Sequence, residues 1–254
     1  MTNKFTCYDD QFYLAHNQAS YQSALKYIEH LFKFYLPKSV IDVGCGRGAW
    51  LLACQNKGAT ELTGIDGTWN SQDKMLSQTI KFRPINLSDP PPNSNERYDL
   101  AMSLEVAEHL PQSQADSFTE YLTKLADQIL FSAAYTNQGG DNHLNEQPHS
   151  YWAQKFLARG YVPYDLFRPV FWGDDSIDYC YQQNAYLYVK KNSFLIAKLA
   201  ELGYKPITNI YFMDCIHPRL YEQQGKLRTF AAKRLEKFLP GQIKYRLKKI
   251  LRGG

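Results

Sequence analysis

The sequence predicts an α/β protein built on a seven-stranded, mostly parallel sheet with an antiparallel edge and flanking helices. Three observations predict it. Between residues 39 and 134 short apolar runs alternate with helix-length amphipathic segments, the pattern of strands joined by crossover helices. The first run, Val40-Ile41-Asp42-Val43, closes on a loop holding Gly44, Gly46 and Gly48, and a helix follows directly. Beyond residue 134 the alternation loosens, and late strands fed by short connections favour an antiparallel edge.

The elements follow in order. Ala19, Tyr21, Leu25, Ile28, Leu31, Phe32 and Tyr35 recur at spacings of mostly three and four, predicting a helix over 17–36 that Pro37 ends. A central strand at 40–43 leads through the glycine loop into a helix from Ala49 to about Lys57, which Gly58 stops. Strands are expected at 62–65, ending at Asp66, and at 80–85, with a proline-rich surface loop over 88–95. A fourth strand at 99–104, a helix at 112–126 and a fifth strand at 129–134 complete the alternating part. A polar loop over 136–150 precedes a short helix at 151–158, strands at 161–167 and 185–189, and a helix at 193–202. Helices are also expected at 230–238 and 243–251. The organisation is thus a helical cover over 1–38, a core over 39–190 with a lid around 135–150, and a helical extension with a basic tail over 191–254.

A chain of 254 residues suffices for one well-buried core, and its 44% apolar and 21% charged residues are those of a globular protein. The first ten residues do not read as a secretory signal, and no stretch is long and apolar enough to span a bilayer. Five cysteines without a CxxC pair argue against a disulfide scaffold and a thiolate zinc site, so a reducing cytoplasm is expected. The net charge of +4 is uneven: residues 226–254 carry +9, which leaves the first 225 at −5. A large nucleic-acid interface is therefore not expected on the main body. In the tail, Ile243, Leu247, Ile250 and Leu251 recur at helical spacing among basic residues. Such a helix suits peripheral contact with an anionic membrane, contact with RNA, an oligomer contact or a solvated face.

The glycine loop offers a tight backbone turn and unpaired N–H groups at a helix start. Asp66 closes the next strand at a spacing that suits a carboxylate accepting from ribose hydroxyls. Gly44, Gly46 and Ala49 also fit the dinucleotide fingerprint. Against a dinucleotide, Asp42 would repel a pyrophosphate but not a cationic amino-acid-bearing cofactor, and a second mononucleotide half is lacking. An NAD-type oxidoreductase stays as the rival.

The run Val40 to Trp50 resembles motif I of the class I S-adenosylmethionine-dependent methyltransferases. Leu62-Thr63-Gly64-Ile65-Asp66 resembles their ribose-binding strand, and Asp99 to Leu110 their fourth strand and the turn after it. The resemblance covers about residues 39–134 and implies the Rossmann-like fold of that family with S-adenosyl-L-methionine as cofactor. It implies that Asp42, Gly44, Gly46 and Gly48 line the donor, that Asp66 holds its ribose, and that Leu87 and Leu104 border it. Family members commonly place an acid near the adenine amine; here Asn86 stands there. The stretches around Phe131 to Ala134 and Gln138 to Trp152 are similar to a bacterial branch associated with polysaccharide and surface-glycan genes. That likeness implies a hydroxyl of a sugar, nucleotide sugar or glycan precursor as acceptor.

The chemistry-bearing run is Glu105-Val106-Ala107-Glu108-His109, at the strand end where open α/β sheets bind ligands. Its carboxylates and imidazole, with His143 of the lid, suit Mg²⁺ or another divalent metal that would orient an acceptor hydroxyl and lower its pKa. Some family members acting on hydroxylated aromatics or RNA ends use this Glu-x-x-Glu-His spacing in that way. Without a metal, His109, His143 and Glu105 are the expected catalytic residues, since a sugar hydroxyl must lose a proton as it attacks. His143 is the stronger lid base because Gly139 and Gly140 let the loop fold inward. His149 is expected to face solvent or cap the helix, for which Ser150 is the natural N-cap. Asn145, Glu146, Tyr151, Arg168, Trp172, Tyr181 and Asn184 are the expected substrate contacts, because an arginine among aromatics and amides suits a hydroxyl-rich ligand. For Arg168 a structural ion pair with a nearby aspartate is the alternative. A binding protein that keeps the fold without catalysis is the non-enzymatic rival.

Overall fold

The structure is a computed structural model that describes residues 10–89 and 95–226. The chain divides into two compact units, residues 1–215 and 216–254. All seven strands lie in the first; in the second, residues 218–226 are helical. The first nine residues of the expected cover, most of the 88–95 loop, the helices expected at 230–238 and 243–251, and the basic tail lie outside the described residues. Among the described residues no helix is long and apolar enough to cross a membrane.

The sheet runs in the order β3-β2-β1-β4-β5-β7-β6. At its centre β1 (Ser39–Val43) pairs in parallel with β2 (Glu61–Asp66) on one side and β4 (Leu100–Leu104) on the other. β3 (Lys81–Pro84) extends the sheet beyond β2, and β5 (Gln128–Ser132) lies beside β4. The antiparallel edge is β7 (Tyr186–Lys190), inserted between β5 and the outermost β6 (Tyr161–Tyr164). Because chain order reverses between β1 and β4, a crevice opens at their carboxyl ends. The seven-stranded mixed sheet expected from the sequence is therefore present.

Successive residues of a strand point to opposite faces, and both faces are covered. Val40, Leu62, Leu100, Leu130 and Leu187 enter a core with Tyr27, Ile28 and Leu31 of α1 (Asp10–Leu31), Trp50 and Leu51 of α2 (Ala49–Asn56), and Leu195 and Leu199 of α7 (Phe194–Glu201). Ile41, Ala101, Ile129, Phe131 and Tyr188 enter the opposite core with Phe118 and Leu122 of α3 (Ala115–Leu125) and Trp152 and Phe156 of α4 (His149–Ala158). Being buried on both faces, β1, β4 and β5 read as mostly apolar runs, interrupted in β1 by Asp42 and in β4 by Ser103.

Several boundaries differ from expectation. α1 stops at Leu31, five residues before the expected end, and the chain turns through 32–34 on the carbonyls of Ile28, His30 and Leu31. A 3₁₀ turn at Gln112–Gln114 opens what was expected as one helix to 126. Two short helices were not expected, α5 (Arg168–Phe171) and α6 (Tyr179–Asn184). α6 is capped by Asp178, which accepts from the amide of Cys180. Ser150 is not an N-cap: α4 starts two residues earlier than expected, with Pro148 in that position, and Ser150 donates both N–H and Oγ–H to Asp214.

Candidate active site

The glycine loop sits where β1 ends in the crevice. Gly44, Gly46 and Gly48 all adopt positive φ, 88°, 52° and 84°, which L side chains rarely tolerate. Their surroundings differ. A Cβ on Gly44 would lie 2.3 Å from Cγ2 of Val106, and one on Gly48 would lie 2.8 Å from Ile80, whereas one on Gly46 would meet nothing within 4 Å. Gly44 is thus the place where the β4 turn packs onto the loop, and Gly46 is the face left open for a ligand.

Asp66 braces the loop by accepting from the amide of Gly46 at 2.7 Å and that of Gly67 at 2.7 Å. Burial still pushes its carboxyl up to about 6, against those two hydrogen bonds. Asp42 is buried, and loss of hydration, followed by the charge of Asp66, pushes it up to about 8. Two acids under one loop make a poor seat for a pyrophosphate, which weighs against the dinucleotide reading, and a good one for a ligand bearing an ammonium and hydroxyls. Asn70, which the sequence reading missed, donates to the carbonyl of Gly46. The half-exposed indole of Trp69 lies where a Cβ of Gly67 would sit. The available signal was their position just after Asp66. Asn86 is exposed, and its Oδ1 accepts from the amide of Ser88, so it closes its own turn; Leu87 is half-buried and Leu104 buried.

The β4 turn brings the predicted carboxylates beside this loop. Glu105 holds a left-handed φ of 55°, unusual for a residue with a Cβ, and its amide donates to the carbonyl and the Oγ of Ser132. Its carboxylate accepts from Asn184 Nδ2 at 3.1 and 3.2 Å and from Gln138 Nε2 at 3.0 Å. Burial raises its pKa, and the hydrogen bonds from Asn184, Ser132 and Gln138 oppose the rise. Glu108 is 1% exposed, and neither carboxylate oxygen meets a donor at hydrogen-bonding geometry. Its pKa stands well above the ordinary value, through burial first and the charge of Glu105 second.

Residues 143–146 of the polar loop pack against this turn. The backbone carbonyl of Glu108 accepts from the amides of Leu144 and Asn145 at 2.7 and 2.9 Å. His143 and His109 meet edge to face with ring centroids 4.9 Å apart, and His143 Nδ1 lies 2.7 Å from Glu146 Oε1. Burial and the neighbouring His143 lower the pKa of the exposed His109. Glu146 also accepts from the amide of Gly139 at 2.7 Å, so this residue orders the lid and the His143 ring. Asn145 is buried and accepts from Gln147, while its own Nδ2 finds no acceptor.

Donor atoms of Glu108, His109 and His143 lie within 4.8 Å of one another, and with the orphaned Glu108 oxygens they could hold a divalent cation. Glu105, expected in that set, does not join it, because its carboxylate turns to Asn184 and Gln138. Gln138 joins Glu105, Asn184 and Cys180 although it was given no role in advance.

The third predicted group divides. Asn184 reaches Glu105, but Arg168 is consumed structurally: it pairs with Asp165 at 2.8 Å, donates to the Met213 carbonyl at 3.0 Å and stacks on Tyr186. Tyr181 lies in the α1-facing core, edge-on to Trp50 and 3.3 Å from Ser20 Oγ. Tyr151 packs against Trp152 and under Lys155 along α4, and Trp172 is 36% exposed. His149 is the clearest correction. It is 2% exposed rather than facing solvent, because the Met213 carbonyl and Asn184 Oδ1 take its two ring nitrogens.

Comparison with known proteins identifies the family. Residues 13–167 match a family model described as a methyltransferase domain. A ubiquinone biosynthesis O-methyltransferase of Pseudomonas savastanoi is 34% identical over 107 residues, 39% of this chain and 46% of that protein. The chain thus spans about half the length of the first curated relatives it matches. One from Acinetobacter baumannii is 26% identical over 69% of this chain and 71% of its own. Among solved structures, an O-methyltransferase family protein from Burkholderia thailandensis superposes with a TM-score of 0.53 at 17% identity, over 74% of this chain and 61% of its own. Magnesium protoporphyrin IX methyltransferase from Synechocystis, with bound S-adenosylhomocysteine, gives 0.50 at 18%, over 70% and 84%. These structural likenesses are likenesses of fold. The family model spans well over half of the 254 residues, the glycine loop and the Glu105 turn included, and the chain belongs to the methyltransferase-domain family.

Proposed function

We propose that the protein transfers a methyl group from S-adenosyl-L-methionine to a hydroxyl oxygen of a small acceptor. The observation that carries the proposal is the contact of Val106 with Gly44, which sets Glu105, Glu108, His109 and His143 beside the loop that would hold the donor. The donor fits the residues present. Asp42 and Asp66 supply negative charge for its ammonium and acceptors for its ribose hydroxyls, and Gly46 leaves the backbone approachable. When bound, the donor supplies an electrophilic methyl on a sulfonium; the chain's own task is alignment and removal of the acceptor's proton. His109, whose pKa is lowered by burial and by His143, and His143, steered by Glu146, would take that proton.

For the acceptor, the relatives named for ubiquinone biosynthesis favour a phenolic hydroxyl. A phenol is already acidic enough for a single imidazole to deprotonate. The sugar or glycan-precursor hydroxyl expected from the sequence demands a stronger base or a cation, which Glu108, His109 and His143 would hold. Titration calorimetry with S-adenosylmethionine, S-adenosylhomocysteine and NAD⁺ tests the donor, and failure of the first two to bind would sink the proposal. Turnover of catechols against nucleotide sugars, with and without chelator, then separates the two acceptors and the role of a cation.

A further inference from the structure

His149 is bracketed by two acceptors. Its Nδ1 lies 2.8 Å from the carbonyl of Met213, which can only accept, so Nδ1 carries a hydrogen. Its Nε2 lies 2.9 Å from Asn184 Oδ1. That amide is not free to turn over. Asn184 Nδ2 donates to both oxygens of Glu105 and to Gln138 Oε1, and Gln138 Oε1 is itself fixed by the backbone amide of Tyr135 at 3.1 Å. Gln183 Nε2 meanwhile donates to Asn184 Oδ1 at 2.9 Å. Reversing the amide would set Oδ1 against Gln138 Oε1 and against an ionised Glu105. One amide cannot give its NH₂ to a neutral His149 and to an anionic Glu105 at once.

We infer that Glu105, Asn184 and His149 form a proton-linked relay, in which a buried His149 imidazolium, hydrogen-bonded at both nitrogens, holds Glu105 ionised through the amide of Asn184. The relay balances: the proton on Nε2 stays on the imidazole, Glu105 keeps its negative charge, and the buried assembly is neutral as a whole. It also accounts for the left-handed backbone at Glu105, which aims the carboxylate along β4 toward α6.

Around His149, Arg168 of α5 opposes its charge but is paired with Asp165, Asp214 favours it, and the Tyr135 and Tyr186 rings pack on the imidazole. Around Glu105 stand Asp178 and Cys180 of the α6 region, Tyr181, Tyr27 of α1, and Glu108. Burial pulls both partners toward neutrality, while the hydrogen bonds drawn above hold their charges. His149 and Asn184 are therefore positioning residues: they touch no reacting atom and fix the charge of one that borders the donor loop.

The decisive experiment is nitrogen-15 NMR of the full chain labelled at histidine, with His149 assigned by its disappearance in His149→Gln. The expected result at pH 7 is a residue protonated at both nitrogens, persisting to higher pH than the other histidines, and conversion to the neutral Nδ1–H tautomer in Glu105→Gln. A neutral His149 in the wild type near pH 6, or an unchanged signal in Glu105→Gln, overturns the relay. The wild-type spectrum decides the point even if Glu105→Gln fails to fold, and ring-to-backbone correlations in the wild type supply the assignment if His149→Gln does. A second arm rests on the methyl-transfer reading. His149→Gln keeps a donor toward Asn184 without the charge, so the acidic limb of the kcat profile should move up by about one pH unit or more. An unmoved limb in a folded, active variant counts against the relay. Absence of methyl transfer in the wild type would instead sink the functional reading and leave the spectrum to judge the relay alone.

Discussion

Replacing Asp42 with asparagine should stabilise the unliganded protein and weaken its hold on the donor. The carboxyl has an ordinary value of 3.8 and is pushed up to about 8 by burial and by Asp66. A group whose folded value is raised contributes stability that is complete below about pH 4 and is lost as pH rises toward 8. At about 1.36 kcal/mol per pH unit, and with pH 7 about three units above the ordinary value, the wild type forfeits ~4 kcal/mol there. Local relaxation and the sharing of charge with Asp66 bring the expected figure to about 2–4 kcal/mol. Asp42→Asn removes the titration, so at pH 7 its melting temperature should exceed the wild type's by roughly 5–12 °C, with the gain vanishing near pH 4. Paired urea and thermal melts from pH 4 to 9 measure it. A gain that does not vary with pH, or a loss at every pH, refutes the reasoning. The donor side follows from the same proton. A cationic ligand above Asp42 lowers its pKa, so binding at pH 7 should release close to one proton, visible as buffer-dependent heat in calorimetry. In Asp42→Asn that release should disappear and affinity should fall about 10–100-fold, the worth of one charge-assisted hydrogen bond.

Three further outcomes are expected. Gly44→Ala would press a Cβ to 2.3 Å from Val106 on a backbone with φ of 88°, costing about 2–4 kcal/mol in urea unfolding. Adding Val106→Ala should recover the packing share but not the backbone share, and no recovery would mean that the contact is not the cause. Gly140→Ala would put a Cβ 2.4 Å from His143 Nε2 on a backbone with φ of 152°, so it should displace that ring, lower kcat at least about tenfold and cost about 1–3 kcal/mol of stability. Unchanged turnover would remove His143 from the mechanism. Glu108→Gln should fold normally and gain stability over the wild type progressively as pH rises, because burial and Glu105 raise the wild-type carboxyl well above its ordinary value. If Glu108, His109 and His143 hold a cation, Mg²⁺ or Mn²⁺ should raise the melting temperature of the wild type and not of this variant.

The sheet was legible because burial on both faces leaves unbroken apolar runs, as in Leu100 to Met102 and Ile129 to Phe131, and because Gly44 and Gly58 mark where local structure changes. The donor loop and Asp66 were legible for a related reason: they follow one another along the chain at the interval set by a single strand-helix-strand unit. What the sequence hid depends on distant partners. Nothing near His149 announces burial, since Asn184 lies 35 residues away and Met213 lies 64 away. Arg168 looked available until the turn at Ile210–Met213 brought a carbonyl against it. Glu105 and Glu108 share a short run of sequence, yet the left-handed residue between strand and turn sends Glu105 to α6 and leaves Glu108 with the two histidines.

The placement of β7 between β5 and β6 also sets the order in which the protein can be made. β6 is synthesised before β7 but pairs only with it, and the outer edge of β5 stays open until residues 186–190 arrive. Asn184, which ends α6, reaches Glu105 only as that strand slots in. During synthesis the ribosome therefore delivers the donor loop early and the carboxylate's partner late. A chain stalled before Asn184 would hold the first without the second and would leave the β5 margin unpaired. The Asn184–Glu105 contact and closure of the sheet thus draw on neighbouring residues of the chain, Asn184 and Tyr186–Lys190, so a fault in one stretch disturbs both.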